Sequence, residues 1–452
     1  MSEQATKQPS HEYQRFLQSL PADWGRKEIR QLGTVIGGGT PSREVPSFWR
    51  GTVPWVTPGE VSGNAIKFLQ DTNEHISASG LAGSGANLLP AGSLMVTTRA
   101  TLGARAINAV PMATNQGFKS IVFKEAADAG FYLHLFEKVQ PELVRRASGT
   151  TFLEISAAEF ACIEVPSPSP DEKRLITEVL DTLDTAIHET EAIIAKLKAV
   201  NQGLLHELLT RGIDVKGELR PPQTEAPDCY KQSPLGWIPK EWNTRPLLDV
   251  STRITDGTHQ AVTTVADGTG DTPFLFVSCV RDGEVAWDKS ASISRRDYLR
   301  ISKGREPQPR MVLYTAVGSY GHAAEVCDAR EFAFQRHIAC IYPDATQVIA
   351  GFMPLVLNWD PMRRYADRVA LGNAQKTVTL GELARYPFVC PKKTEQAEIV
   401  DRMRAAQGKL TSEQRYLEKL QLQKSGLMHD LLTGRVRVTP LLAGVEHEKE
   451  RA

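Results

Sequence analysis

Six cations crowd one short stretch of this chain. Arg295, Arg296, Arg300, Lys303, Arg305 and Arg310 lie in SRRDYLRISKGREPQPR (294–310) against only Asp297 and Glu306, an excess of four positive charges. The whole sequence carries 53 basic and 53 acidic residues, so its formal net charge is zero. Guanidinium and ammonium groups bunched in a neutral protein are a local footprint for a polyanion, nucleic acid above all, and a solvated charged face is the plainer alternative. Gly304, Pro307 and Pro309 predict a loop at the end of the stretch. Two further groups have the side chains that read base edges and phosphates. One is Thr40, Ser42 and Arg43 after the glycine turn at 37–39, followed by Arg99, Arg105, Asn115, Gln116 and Lys119. The other is Thr258, His259 and Gln260, followed by Tyr314, Tyr320, His322, Gln335 and Arg336. The glycine turn lacks a following Lys-Ser/Thr and is not a P-loop; a phosphate cradle of backbone N–H groups and a plain tight turn both remain open.

Motifs for catalysis are missing. Asn358-Trp359-Asp360-Pro361 has a single proline, misplaced for the Asn/Asp-Pro-Pro-aromatic loop of an adenine methyltransferase, and there is no glycine-rich cofactor turn. There is no Walker A sequence. Asp171-Glu172-Lys173 opens a helix, whereas metal-dependent nucleases set a spaced acid and a Glu-x-Lys on a sheet. No Ser/His/Asp or Cys/His arrangement has an anchoring motif. The six cysteines form no CxxC pair, so no zinc ribbon and no metal site is expected. His206 and His429, at equivalent helix ends, are read as capping or packing residues rather than ligands. No apolar run reaches the roughly 20 residues of a membrane helix, and the first residues lack an apolar signal core. The expectation is a non-catalytic cytoplasmic protein with reduced thiols.

These residues are positioned by a scaffold that repeats. GLLHELLT (203–210) returns as GLMHDLLT (426–433), six of eight positions identical at an offset of 223. Near the start of each half, PADWGRKEIRQLGTVIGGGT (21–40) returns as PKEWNTRPLLDVSTRITDGT (239–258) at an offset of 218, aligning Trp24 with Trp242, Gly39 with Gly257 and Thr40 with Thr258. The middles match poorly, with a weak echo of Met95-Val96 in Met311-Val312 and of Gln116 in Gln335. A duplicated scaffold with two different middles implies two different readers; drift after an old duplication is the alternative.

The similar ends predict long helices. Ile176, Leu180, Leu183, Ile187, Ile194, Leu197, Leu204 and Leu208 keep 4,3 spacing once Thr190 and Asn201 are counted. Ile399, Met403, Leu410, Leu417, Leu420, Leu427 and Leu431 do the same, with Ala406 and with Glu413 and Lys424 in the two polar slots. Pro170 and Thr394 mark the starts, Gly212 and Gly434 the stops. Each rod would be about 60 Å long at 1.5 Å per residue. Residues 213–236 hold four prolines and read as a linker. Short β-rich runs such as SLMVTT, FLFVSCV and MVLYTAV, mixed with helical stretches, give an α+β class with two mixed α/β domains and an internal repeat. Pairing the two long coiled-coil helices antiparallel is the arrangement that would give the two halves a pseudo-twofold axis.

The junction GWIPKEW (236–242), the loop pair GGGTP and TDGTH, and the helix ends HELLTRG and HDLLTGR resemble the specificity (S) subunit of type I restriction–modification systems. The resemblance runs along nearly the whole chain, twice over and in order. It implies a tail at 1–20, target-recognition domains at 21–168 and 237–392, spacer helices at 169–212 and 393–434, the linker between, and a second tail at 435–452. It further implies that each domain reads half of an asymmetric bipartite site in double-stranded DNA, and that the helices set the spacing and dock two methyltransferase subunits, which restriction/translocase subunits join. S-adenosylmethionine and ATP would bind those partners, with no cofactor on this subunit. The specificity part of another multisubunit restriction–methylation enzyme, and a structural adaptor that binds proteins without DNA, are the alternatives.

Overall fold

The computed structural model describes residues 9–62, 67–149, 153–265, 270–281, 283–372 and 376–438. The chain divides into two compact units, Met1–Glu191 with Tyr416–Ala452, and Ala192–Arg415.

In the first unit, a five-stranded sheet runs in the order Gly33–Gly37, Phe118–Phe123, Leu94–Thr97, Arg105–Asn108 and Phe68–Leu69. Its first three pairings are antiparallel and its last parallel. A second sheet has the order His75–Ile76, Val53–Val56, Met112–Thr114, Leu88–Leu89. Helix Asp128–Arg146 is apolar on most sides and is buried through Phe131, Tyr132, Leu135, Phe136, Val139 and Leu143, as an all-round apolar helix must be.

The second unit repeats this topology with one strand fewer in each sheet. Ser251–Asp256, Ile338–Pro343, Val312–Thr315 and Ala323–Glu325 form an antiparallel sheet, and Ala291–Ile293, Thr272–Leu275 and Ala333–Phe334 form the second. In both units one pairing of the second sheet is parallel, Val53–Val56 with Met112–Thr114 and Thr272–Leu275 with Ala333–Phe334. Even the turn after the central strand recurs: Gly103 and Gly321 both sit at φ +88°, donating to Thr97 and Thr315 at 2.9 and 3.0 Å. Only glycine takes that conformation without strain. The middles of the two halves thus share a backbone that their sequences conceal. A sheet asks for buried apolar strands and the right turns, not for particular side chains.

The shared backbone corrects the sequence alignment. Gly33 pairs with Phe123 and Ser251 with Pro343, but Thr34 pairs with Val122 where Arg253 pairs with Tyr342. Thr252 is therefore an extra residue, a bulge that moves the offset from 218 to 219. Beyond it Gly38 matches Gly257, Gly39 matches Thr258 and Thr40 matches His259. On the partner strands Asn115 matches Gln335 and Gln116 matches Arg336, since the N–H groups of Asn115 and Gln335 bond the equivalent carbonyls of Val56 and Leu275. The pairings of Thr40 with Thr258 and of Gln116 with Gln335 were each one residue out. Likewise Met95 lies opposite Ser120 as Leu313 lies opposite Cys340, so Met95 answers Leu313 rather than Met311.

The long helices are Pro170–Thr210 and Lys393–Leu432. Of the residues at 4,3 spacing, Ile176, Leu180, Ile194 and Leu208 on one helix and Ile399, Met403, Leu410, Leu420 and Leu431 on the other are buried. Leu183, Ile187, Leu197, Leu204, Leu417 and Leu427 are half-buried. The polar slots Thr190 and Asn201 are buried with the stripe. Thr190 donates its hydroxyl to Ala186 O at 2.7 Å, while the Asn201 amide nitrogen has no partner among the described residues. In the first unit Met428, Leu431 and Leu432 share a core with Ile176 and Leu180. In the second, Leu208 and Leu209 share one with Ile399, Val400 and Met403. Gly212 (φ +65°) and Gly434 (φ +69°) end the two helices in the left-handed conformation.

One polar constellation also occurs twice. In the first unit Arg437 donates to Glu172 at 2.6 Å and to Asp23 at 2.7 Å, and Trp24 Nε1 donates to Glu172 at 3.1 Å. In the second, Arg220 donates to Glu395 at 2.6 Å and to Glu241 at 3.1 Å, beside Trp242. Each arginine comes from the segment that follows one long helix, and each glutamate from the first turn of the other. The expected linker is accordingly not slack. Arg220 is anchored, Tyr230–Ser233 pairs with Gly236–Pro239, and Leu235 is buried.

Candidate nucleic-acid interface

In both units the polar candidates gather where the loop after the first sheet strand meets the turn before the second. Close approach there requires glycine. A Cβ on Gly38 would fall 1.9 Å from Asn115 O, and one on Gly257 2.2 Å from Phe334 O. In the first unit Gly39 N donates to Thr114 O at 2.9 Å, and the Asn115 side chain accepts from Gly117 N at 2.8 Å. These bonds leave Thr40, Ser42, Arg43 and Gln116 exposed, with the Thr40 hydroxyl donating to Gln116 Oε1. The Arg43 guanidinium lies 3.6 Å over the Trp49 ring and grips Glu74 at 2.9 Å, which holds the Glu74 carboxyl below its ordinary range. Arg99 and Lys119 stand 3.8 and 3.7 Å from Glu154.

In the second unit Thr258 N donates to Phe334 O at 2.9 Å, and Arg336 N to Thr258 O at 3.1 Å. Thr258 itself is buried, and its hydroxyl accepts from Gln260 N at 3.1 Å. His259 meets Asp256 at 2.6 Å, Arg300 bonds Gln260, and Arg305 Nε donates to Asp256 O at 2.9 Å. Gln335 is half-buried and Arg336 exposed.

Several expectations are corrected here. Arg105 is turned onto the carbonyls of Leu133 and Gly103 and its ionisation is disfavoured by burial, so it braces the fold and offers little to DNA. Tyr314 is wholly buried, its hydroxyl 3.1 Å from that of Tyr386, and belongs to the core. Thr258 is too enclosed to reach a base. Tyr320 donates to Asp367, which pushes its hydroxyl pKa up to about 12, and His322 Nδ1 lies 3.5 Å from Arg363. The 294–310 stretch begins as a helix, Arg295–Ile301, capped by Ser294, and only its end is a loop. Its charge is largely met from outside: Arg295 pairs with Glu331, Arg305 with Asp256 and Arg310 with Glu325. Glu325 is shared with Arg404, so a positive remainder persists. Arg296 and Lys303 are exposed and form no ion pair among the described residues.

The Arg43–Trp49–Glu74 stack escaped sequence reasoning, although two tryptophans six residues apart beside a glycine turn were a usable signal. His134, Asp181 and Asp184 converge within 4.8 Å, yet Lys67 pairs with Asp181 and Lys424 with Asp184. Their charge is already balanced, and the cluster offers a cation little. No helix among the described residues is long and apolar enough to cross a membrane.

Residues 21–199 match the family model described as the type I restriction modification DNA specificity domain. The chain is 32% identical over 170 residues to the type I restriction enzyme MjaIX specificity subunit of Methanocaldococcus jannaschii, covering 37% of this chain and 39% of that one. Against the EcoR124I/EcoR124II specificity subunit of Escherichia coli it is 26% identical over 166 residues, 35% of this chain and 40% of that one. These two alignments span about two fifths of each relative. A longer one, 21% identical over 440 residues, joins it to the MjaVIII specificity subunit of M. jannaschii across 93% of this chain and 95% of that one. Among solved structures, the type I restriction–modification S subunit from M. genitalium superposes with a TM-score of 0.54 at 11% identity, covering 91% of this chain and 98% of that chain. A chain from a study of complex assembly and conformational transition of the type I system gives 0.52 at 14% identity, over 92% and 99%. The fold is that of these specificity subunits, and the motif resemblance is to the same family.

Proposed function

We propose that this chain is the sequence-specificity subunit of a type I restriction–modification enzyme, with no catalysis of its own. One observation carries the reading. The same two-sheet backbone occurs twice, and each copy presents different exposed polar residues at the same place: Thr40 and Gln116 in one, His259 and Arg336 in the other. Two unlike readers on a duplicated scaffold suit an asymmetric, bipartite DNA site. The recognition domains span 21–168 and 237–392, and each reads one half-site. The long helices pair as an antiparallel coiled coil about a pseudo-twofold axis. The packing of each helix end beside the start of the other helix, within each unit, supports this. That symmetry lets two methyltransferase subunits dock equivalently and restriction subunits join them. S-adenosylmethionine and ATP belong to those partners, and the assembly works in the cytoplasm.

The experiment is methylome sequencing of a methylation-free host that expresses this chain with a type I methyltransferase subunit from the same organism. A split motif with a fixed spacer is expected, and a gel shift of the purified complex on that motif. Absence of both, from a complex that forms, would leave a protein-binding adaptor.

A further inference from the structure

We infer that residues 116 and 336 are one specificity-determining position occurring twice, with Gln116 reading an adenine in one half-site and Arg336 a guanine in the other. The inference rests on the proposed function and extends it to a side chain and a base. The register carries it. Gln116 and Arg336 each follow the residue whose N–H bonds the end of the parallel-paired strand, Asn115 N to Val56 O at 3.0 Å and Gln335 N to Leu275 O at 3.1 Å. Both turns are fixed on the far side as well, by Phe118 N to Asn115 O and Ile338 N to Gln335 O, at 3.3 and 3.0 Å. The backbone at this position is therefore immobilised twice over while its side chain stays exposed in both units. A rigid stem with an exposed polar tip is what base reading requires, because the fork must be aimed before contact.

The side chains then differ as two unlike half-sites demand. Gln116 is held by Thr40, whose hydroxyl donates to Oε1 and leaves the amide N–H groups and one lone pair without a partner among the described residues. An amide held this way matches the N7 acceptor and N6 donor of adenine. Arg336 occupies the same place: its Nε faces His337 Nε2 at 3.5 Å, and it has no carboxylate partner among the described residues, whereas Arg295, Arg300, Arg305 and Arg310 are all paired. Its planar fork matches O6 and N7 of guanine. Even the anchoring shows a coordinated change. In the first unit Gly39 O accepts from Trp55 Nε1 at 2.9 Å. The second unit has Phe274 at the place of Trp55, with no ring N–H, and Thr258 O accepts from Arg336 N instead.

The test uses the complex of this chain with its methyltransferase, first on genomic DNA to define the wild-type motif, then with Arg336→Gln, Arg336→Lys and Gln116→Arg. Failure of the wild-type complex to bind or methylate a split motif counts against the proposed function, before any variant is made. Given a wild-type motif, Arg336→Gln is expected to relax or convert one guanine of a single half-site, reducing discrimination there by about 5- to 150-fold. Gln116→Arg is expected to shift one adenine of the other half toward guanine. Arg336→Lys separates a base fork from a phosphate contact. Loss of the guanine preference with lysine supports the fork; retained preference with merely weaker, salt-sensitive binding overturns it. An unchanged motif in Arg336→Gln overturns it too, as does a variant that fails to fold, since the position would then not be exposed.

Discussion

Removing the Arg437 side chain should destabilise the first unit far more than its surface position implies. Glu172 is 3% exposed and accepts from Arg437 at 2.6 and 3.2 Å and from Trp24 at 3.1 Å. In Arg437→Ala only the indole bond remains to a buried carboxylate. A hydrogen bond to a charged group is worth about 1.5–3 kcal/mol, and breaking a fully buried ion pair costs about 3–5 kcal/mol. The guanidinium is 28% exposed, so water can re-solvate part of the carboxylate, and the lower end applies: about 2–3 kcal/mol. The exposed contact to Asp23 adds little. The assay is urea unfolding followed by tryptophan fluorescence, with Arg30→Ala as control because its pair with Glu28 is 62% exposed on the arginine side. The chain contains its own replicate. Arg220→Ala strips the equivalent bonds from Glu395, which keeps Ile213 N at 2.8 Å, and a loss of about 2 kcal/mol is expected there. If Arg437→Ala costs no more than Arg30→Ala, the duplicated constellation is decorative and the argument from burial fails.

Three more outcomes are expected. Leu180→Asp or Leu420→Asp places a charge in the buried stripe and should cost several kcal/mol and the yield of complex on co-purification, whereas Leu197→Asp, half-buried, should cost less. Arg296→Ala with Lys303→Ala should flatten the slope of log K against log salt by up to about two units, at about 0.9 per phosphate, while Arg295→Ala, whose cation is already paired, should do less in fluorescence anisotropy on cognate duplexes. Burial pushes the Glu142 carboxyl up, but bonds from Arg145, Arg146 and Ser10 N outweigh it, so its folded pKa lies below the ordinary 4.5. Its stabilisation is complete above that value and is lost as the pH falls through the folded pKa; Glu142→Gln should flatten the fall of the urea midpoint on acidification below the ordinary carboxylate pKa.

The sequence by itself determined the helical scaffold. Heptad spacing, the proline or acidic starts and the glycine stops are local rules, and the long helices begin at Pro170 and Lys393 and end before Gly212 and Gly434 as those rules require. The duplication and the family resemblance were legible for a similar reason: short motifs in fixed order survive where individual contacts do not. The middles were not legible. Two sheets of closely related topology share almost no residues because a strand constrains only burial and turn geometry. Local length differences did the rest: the bulge at Thr252 displaced Thr40 from its true match, and two extra residues between Ala324 and Ala333 displaced Gln116 from its own. Site residues fared worst, since exposure is not a local property. Arg105 and Tyr314 have the right chemistry for DNA, but helix Asp128–Arg146 takes the one and the core of the second unit takes the other. The charge of 294–310 was real, yet Asp256, Glu325 and Glu331 balance it from 15 to 49 residues away, a compensation only the tertiary structure brings together.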